Sequence, residues 1–443
     1  MDVRGQQTKS KKAIILDGSH ANDSTGERVR MALTAELRAQ GWDAEISVLR
    51  EKKIGNCAGD FFCWIRNPGM CNTNDDNRAI ARAIIDSDLL VYLTPVTFGG
   101  YSSALKRMVD HQIQNISPHF AKVNGETHHQ RRYAKHPDLL VVGWMDEPDT
   151  QAEAVFHHLV QRNGINFYAK RTASHVVLAS QSDAEIRASA QECVNNLEGG
   201  RSSRTVYLPA SRQTGGQASV VRRAVLLVGS PRTRKSTSNS LGEYLFQQLG
   251  AQSIQTEVVY LYHVLRSPEK MHALLEAVDA ADLVTLAFPL YVDSLPAPVI
   301  EALERIAVYR QGREPGHRQL FAAIANCGFP EAHHNAGALA ICETFARSAG
   351  FEWAGSMALG GGEMIQGASL PEKGGQTIRI RKALELAATA LSKGEAIPTA
   401  SNDMMGKPVI PPWAYRLMGR IIWRQRSKPF GASRLLRRQP YAS

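Results

Sequence analysis

The sequence has no uninterrupted apolar run approaching the roughly 18 residues of a membrane-spanning helix. No apolar stretch follows the basic opening MDVRGQQTKSKK, so a secretory signal is not expected. Cysteine is scarce, six in 443 residues. Without an export signal these read as thiols in a reducing compartment, and the cytoplasm is the expected location. Several fingerprints are also missing. There is no G-x-G-x-x-G for a dinucleotide, no Gly-Lys-Ser/Thr ending to a phosphate loop, and no H-E-x-x-H for zinc. Acidic residues vanish from Met404 onward. There Lys407, Arg416, Arg420, Arg424, Arg426, Lys428, Arg434, Arg437 and Arg438 supply nine of the +10 net charges. The rest of the chain is near neutral, so its basicity belongs to the tail.

What is present is an alternation of strands and helices, stated twice. A hydrophobic content of 43% allows full-sized cores. In the first half, strands are predicted at Ala13–Asp17, Trp42–Val48, Asp88–Thr94, Asp138–Trp144 and Ser174–Ala179. Helices are predicted at Glu27–Gln40, Asp76–Ile85, Ser103–Gln114, Ala152–Arg162 and Asp183–Leu197. A Gly/Ser/Arg-rich stretch, Glu198–Arg223, interrupts the pattern and reads as a linker. Then the programme restarts, with strands at Ala224–Val228, Ile254–Leu261, Asp282–Phe288, Gln319–Ala325 and Glu352–Leu359. A helix begins near Leu241, another covers Val299–Ile306, and the last covers Gln376–Leu391. The predicted architecture is α/β, two fused doubly wound domains of the flavodoxin-like strand order. Each is a five-stranded parallel sheet with helices on both faces. The expected divisions are 1–200, a linker at 201–222, 223–394, and a basic tail at 395–443.

The stretch DLVTLAFPLYVDSLPAP, Asp282–Pro298, organises the second half, and DLLVYLTPVTFGGYSS, Asp88–Ser103, repeats it in the first. Each is a buried strand that ends at a proline and hands over to a helix. In open parallel sheets, ligands bind outside the carboxyl ends of the strands. The first loop of the second half offers Ser230, Arg232, Ser236, Thr237, Ser238 and Asn239 to a phosphate; a plain Ser/Thr helix cap is the alternative. Pro289, Leu290, Tyr291, Val292 and Asp293 suit a flat ring, and the amides of Cys327 and Gly328 suit its polar edge. Phosphate, ring and ring edge together describe an FMN site. The first-half equivalents are Ser19, Asn22, Ser24, Thr25, Pro95, Val96, Thr97 and Phe98, in a loop that lacks the arginine.

In GSPR, the Ser/Thr run, FPLYVDSLPAPV and NCGF, the chain resembles the NADPH-dependent FMN reductase superfamily, and it looks like two fused members. The first half resembles the iron–sulfur-flavoprotein-like branch. Cys57, Cys63, Trp64, Pro68, Gly69, Cys71, Asp75 and Asp76 match that branch's motif, but Asp60 stands at its second cysteine. The resemblance implies FMN, NAD(P)H as co-substrate, a small acceptor such as a quinone or free flavin, and a homo-oligomer as a common arrangement. With three cysteines and an aspartate, no metal is expected, and a structural Cys/Trp/Pro turn beside the flavin pocket is the reading taken. The pairs His128–His129, His157–His158 and His333–His334 are expected on the surface or in loops, with His333 near the site.

The tail segment IPPWAYRLMGRIIWRQR predicts an amphipathic helix with Leu417, Met418, Ile421 and Ile422 on one face. Packing on the protein is favoured, peripheral membrane contact comes next, and nucleic acid is not expected because no reader motif is present. The function read from the sequence is an FMN-dependent NAD(P)H oxidoreductase. The rival is a flavodoxin-type electron carrier in which one domain is degenerate and structural.

Overall fold

The computed structural model describes residues 11–199, 208, 211, 220–313 and 316–442. Apart from 208, 211 and 220–222, the predicted linker falls outside them. The first half contains β1 (Lys11–Asp17), β2 (Trp42–Val48), β3 (Leu89–Pro95), β4 (Ile116–Val123), β5 (Glu126–Arg131), β6 (Asp138–Met145) and β7 (Thr172–Leu178). Five of these form a parallel sheet in the order β2-β1-β3-β6-β7. The second half contains β8 (Arg223–Val228), β9 (Gln255–Tyr260), β10 (Leu283–Pro289), β11 (Leu320–Asn326) and β12 (Glu352–Leu359), ordered β12-β11-β10-β8-β9 and again all parallel. Both are the predicted flavodoxin-like order, so each first strand sits beside each third at the switch point. The central strands LLVYLTP and LVTLAFP are buried on both faces, as near-continuous apolar runs require. Pro289 is the last residue of β10 rather than the first beyond it. It stands in register with Asn326, where the loss of one donor at a strand end is tolerated.

The halves face each other like two subunits of an isologous dimer. Helix Ser103–His111 lies on helix Ala297–Arg310, and helix Thr150–Asn166 lies on helix Ala336–Ser348. The amide and hydroxyl of Ser103 both donate to Glu304, at 3.0 and 2.6 Å. Lys106 and Asp110 form a fully buried pair. Lys106 also donates to the Tyr291 carbonyl at 2.8 Å, and Asp110 accepts the Ala297 amide at 2.9 Å. Buried charges are tolerated when paired and hydrogen-bonded in this way, and here both bridge the two halves.

Two features depart from the sequence reading. The antiparallel hairpin β4–β5 was not foreseen, because ISPHFAKV and ETHHQR lack a clean two-residue alternation. The tail helix, Pro412–Ser427, packs on the first half, but with a different face from its apolar stripe. A Cβ on Gly419 would lie 2.6 Å from the Phe120 ring, and the Trp423 ring lies 5.1 Å from Trp64. Leu417, Met418, Ile421 and Ile422 point outward. Close approach through a glycine and one large indole outweighs the stripe that the pattern suggested. No described helix is long and apolar enough to cross a membrane.

Candidate functional site

The carboxyl edge of the second sheet carries a narrow cleft of about 90 Å³. Ser230, Arg232, Ser236, Thr237, Ser238, Pro289, Leu290, Tyr291, Cys327 and Gly328 all line it. These come from the loops after β8, β10 and β11, which the switch-point topology brings together. Gly229 lets the first loop pass close to the neighbouring helix, since a Cβ there would lie 2.6 Å from Val299. The Ser236 hydroxyl caps helix Thr237–Gly250 by accepting from Asn239, so the helix-cap reading holds as well. The cap leaves Thr237 and Ser238 at the positive end of the helix dipole. Ser238 accepts from the Asn326 amide at 2.8 Å, and Thr237 donates to the Gly362 carbonyl at 2.8 Å.

Three predicted residues sit differently. Asn239 is buried behind the loop, with its carboxamide oxygen accepting from Tyr260 at 3.0 Å. Val292 and Asp293 face a second cavity beside the cleft. They form the tip of a tight turn in which Tyr291 and Ser294 exchange backbone hydrogen bonds, and both have positive φ, +44° and +58°. The Cys327 amide is held by the Leu359 carbonyl at 3.0 Å, and burial pushes its thiol up to about 12.

The cleft has residues that the sequence reading missed. Asn326, Gly362 and Glu363 complete its wall, and Gly59 and Phe61 of the first half form its roof. Arg232 donates to the Gly59 carbonyl at 2.8 Å and lies 3.8 Å from Glu363. A Cβ on Gly59, whose φ is +60°, would fall 1.8 Å from the Tyr291 hydroxyl. The glycine run at Gly360–Gly362 was a usable sign of close approach: a Cβ on Gly362 would be 2.8 Å from Asn326. The roof could not be read, because it depends on how the halves dock.

The first-half loops are engaged differently. The indole of Trp144 donates to Asp23 at 3.0 Å and lies against Gly26. Arg50 donates to the Ser19 hydroxyl at 2.7 Å, and the Ser19 amide donates to the buried Asp17. Asn22, Ser24 and Thr25 therefore surround a loop that already holds two carboxylates, Asp17 and Asp23. Pro95, Val96, Thr97 and Phe98 form the matching turn, but Phe98 packs edge-on to Phe345 of the second half at 5.2 Å.

The second cavity, about 150 Å³, lies between the halves and is lined by Cys57, Cys63, Cys71, Asp60, His111 and His129 on one side and Tyr291 and Cys327 on the other. Burial pushes the Cys57 thiol up to about 12. Burial also acts on Cys71, but His111 Nδ1, 3.5 Å from its sulfur, outweighs it and brings the thiol below its ordinary value. Against the surface expectation, His128 and His334 are buried and His129 is half-buried. Burial lowers His129 to about 3. His333 is exposed and lies 2.6 Å from Glu126, which also meets His128 and Arg162. These groups clasp the hairpin to the second half, which is why histidines in a polar sequence became interior.

The profile of the family described as NADPH-dependent FMN reductase matches residues 11–165 and again 222–339, together more than half the chain. An iron–sulfur flavoprotein of Methanocaldococcus jannaschii is 32% identical over 100 residues, 22% of this chain and 50% of that protein. One of Archaeoglobus fulgidus is 26% identical over 102 residues, 23% of this chain and 46% of that protein. The chain thus spans about half the length of the curated relatives it matches. Among solved structures, an FMN-dependent NADH-azoreductase from Bacillus anthracis aligns at 13% identity and a TM-score of 0.30, covering 39% of this chain and all of that one. An NAD(P)H:quinone oxidoreductase from Methanothermobacter marburgensis aligns at 18% identity and a TM-score of 0.29, covering 40% of this chain and 96% of that one. The chain belongs to the NADPH-dependent FMN reductase family, with two flavodoxin-like domains in tandem and FMN as its cofactor.

Proposed function

We propose that the chain is an NAD(P)H oxidoreductase with one FMN, held in the second-half cleft and roofed by the first half. The observation that carries this reading is the convergence of three loops on one cleft: the serine and arginine loop after β8, the Pro-Leu-Tyr turn after β10 and the Cys-Gly loop after β11. Their chemistry fits the cofactor. Ser230, Thr237, Ser238 and Arg232 suit the phosphate, because hydroxyls, a helix N-terminus and a forked cation all favour an anion. Pro289, Leu290 and Tyr291 give the ring an apolar wall, and Gly328 suits its polar edge. Phe61 and Gly59 cover the cleft and exclude water. Bound in this cleft, FMN would supply the hydride-transfer chemistry between the nicotinamide and the acceptor. The protein's part is to hold the ring and to leave room for the two substrates in turn, so no acid–base triad is required.

The first half acts as the subunit that a dimeric relative would supply. Its own loop is already occupied by protein groups: Asp17 pairs with Arg30 at 3.5 Å, Asp23 caps the helix through Gly26, and Arg50 holds the Ser19 hydroxyl. Quinones and free flavin are the proposed acceptors. The test is to purify the protein, record its flavin absorbance, and add NADPH without oxygen. Bleaching, with recovery on adding a quinone, is the expected result. A bound flavin that neither NADH nor NADPH bleaches would favour a carrier reduced by a protein partner.

A second reading concerns the cysteine cavity. The three motif cysteines line one cavity that abuts the cleft. Among the described residues, only Glu126, His333 and His334 bring three ligand atoms within 4.8 Å of one another. The three thiols do not meet that spacing, and Asp60 stands where a fourth thiolate would be needed; in this second reading an iron–sulfur group would have Cys57, Cys63 and Cys71 as its ligands. Iron and acid-labile sulfide assays on anaerobically purified protein decide it. Stoichiometric iron and sulfide support the cluster, and their absence leaves the cysteines as packed thiols.

A further inference from the structure

The outward side of the tail helix is uncovered. Trp413, Leu417, Met418, Ile421 and Ile422 are 66, 54, 44, 55 and 41% exposed. They lie away from Gly419 and Trp423, which hold the helix to the first half. Single exposed apolar residues are ordinary, but a contiguous patch on one helix marks an interaction surface. Arg420 and Arg424 are exposed on the same helix.

We propose that this face docks on an anionic lipid bilayer, with the helix lying along the surface. Charge complementarity selects this occupant. From Met404 to the end there are nine basic residues and no acidic one. A second copy seated on the same patch would bring its own cations against these, with no carboxylate in either tail to pair them. An anionic bilayer meets both halves of the surface: its headgroups neutralise the arginines, and its interface takes the leucine, isoleucine and methionine side chains. Trp413, at the start of the helix, is a residue type that settles at the headgroup level. The 16-residue helix is too short to span, which suits a surface attachment.

The helix also borders the cleft. The Tyr415 hydroxyl donates to the Gly328 carbonyl at 2.7 Å, and Arg426 lies 3.6 Å from Glu363. Docking through the outer face therefore leaves the helix between the cleft wall and the bilayer. The docking does not depend on the redox reading.

The test is sedimentation of the full-length protein with vesicles, either of phosphatidylcholine alone or of phosphatidylcholine mixed with phosphatidylglycerol. Binding to the mixed vesicles should be at least about tenfold stronger, and should fall by about tenfold or more at high salt. The pair Leu417→Glu and Ile421→Glu should weaken binding by about tenfold or more and leave NADPH oxidation in solution unchanged. Arg420→Gln with Arg424→Gln is the second pair, and should weaken binding to the anionic vesicles only. Failure to sediment with either vesicle, or equal binding to both, overturns the proposal. So does a dimer in light scattering that the glutamate pair dissociates, or binding to duplex DNA that exceeds binding to the vesicles.

Discussion

The Asp293 carboxylate accepts hydrogen bonds from two carboxamides of the other half, Asn166 at 2.6 Å and Asn163 at 3.0 Å. Asp293 has a φ of +58° and follows Val292 at +44°, a conformation that side chains with a Cβ adopt at a cost of about 1–2 kcal/mol each. The first half thus holds a strained turn next to the Pro-Leu-Tyr wall of the cleft. The matching turn of the first half has Gly99 at the same place, where φ is +83° and no such support is required.

Removing this support should loosen the turn. Asn166→Ala is expected to lower unfolding stability by about 1.5–3 kcal/mol, as for hydrogen bonds to a charged group. It should also weaken FMN binding, because the turn continues from Tyr291. Denaturant unfolding and flavin titration read the two effects. A variant with unchanged stability and affinity would show that the turn holds itself.

The loop after β8 distinguishes the two halves of the molecule. Arg232→Ala should weaken FMN binding by roughly tenfold to a hundredfold, the range of a lost charge-assisted hydrogen bond. Ser24→Ala, in the matching first-half loop, should leave the affinity unchanged. Fluorescence titration of the apoprotein measures both.

Gly59 is the tightest point of the roof. Gly59→Ala has to move Tyr291 and adopt a positive φ, so it should cost about 1–2 kcal/mol and expose the cleft to quenchers. Iodide quenching of bound flavin checks the exposure. Unaltered quenching would mean that the first half does not cover the ring.

Acid should destabilise the fold through His129. Burial keeps it neutral down to about 3, whereas an unfolded histidine protonates near 6.5. Above 6.5 both states are neutral and the stability is intact. As the pH falls from 6.5 toward 3, the unfolded chain gains a proton that the native chain refuses, and about 1.4 kcal/mol is lost per pH unit at most. His129→Gln should flatten that part of the stability profile in denaturant midpoints taken at successive pH values. An unchanged slope would locate the proton uptake elsewhere.

The strands and their order were legible because central parallel strands are apolar on both faces, and Leu283–Pro289 and Leu89–Pro95 advertise this in any register. Ser230, Arg232, Pro289 and Tyr291 were legible for the same reason: loops at the carboxyl edge converge whatever the rest of the fold does. Gly59, Phe61 and Glu126 were not, because their neighbours lie in the other half and sequence pattern carries no docking geometry. The tail helix was half legible. Its apolar stripe is real, but packing was won by Gly419 and Trp423, which the periodicity does not single out.

The ratio of FMN to protein chain, from the absorbance of purified protein reconstituted with excess FMN and desalted, tests the central claim most directly. One cleft, built by the second half and roofed by the first, predicts a ratio of one. A ratio of two would contradict it, as would a ratio of one that survives Arg232→Ala and is lost on changing Ser19.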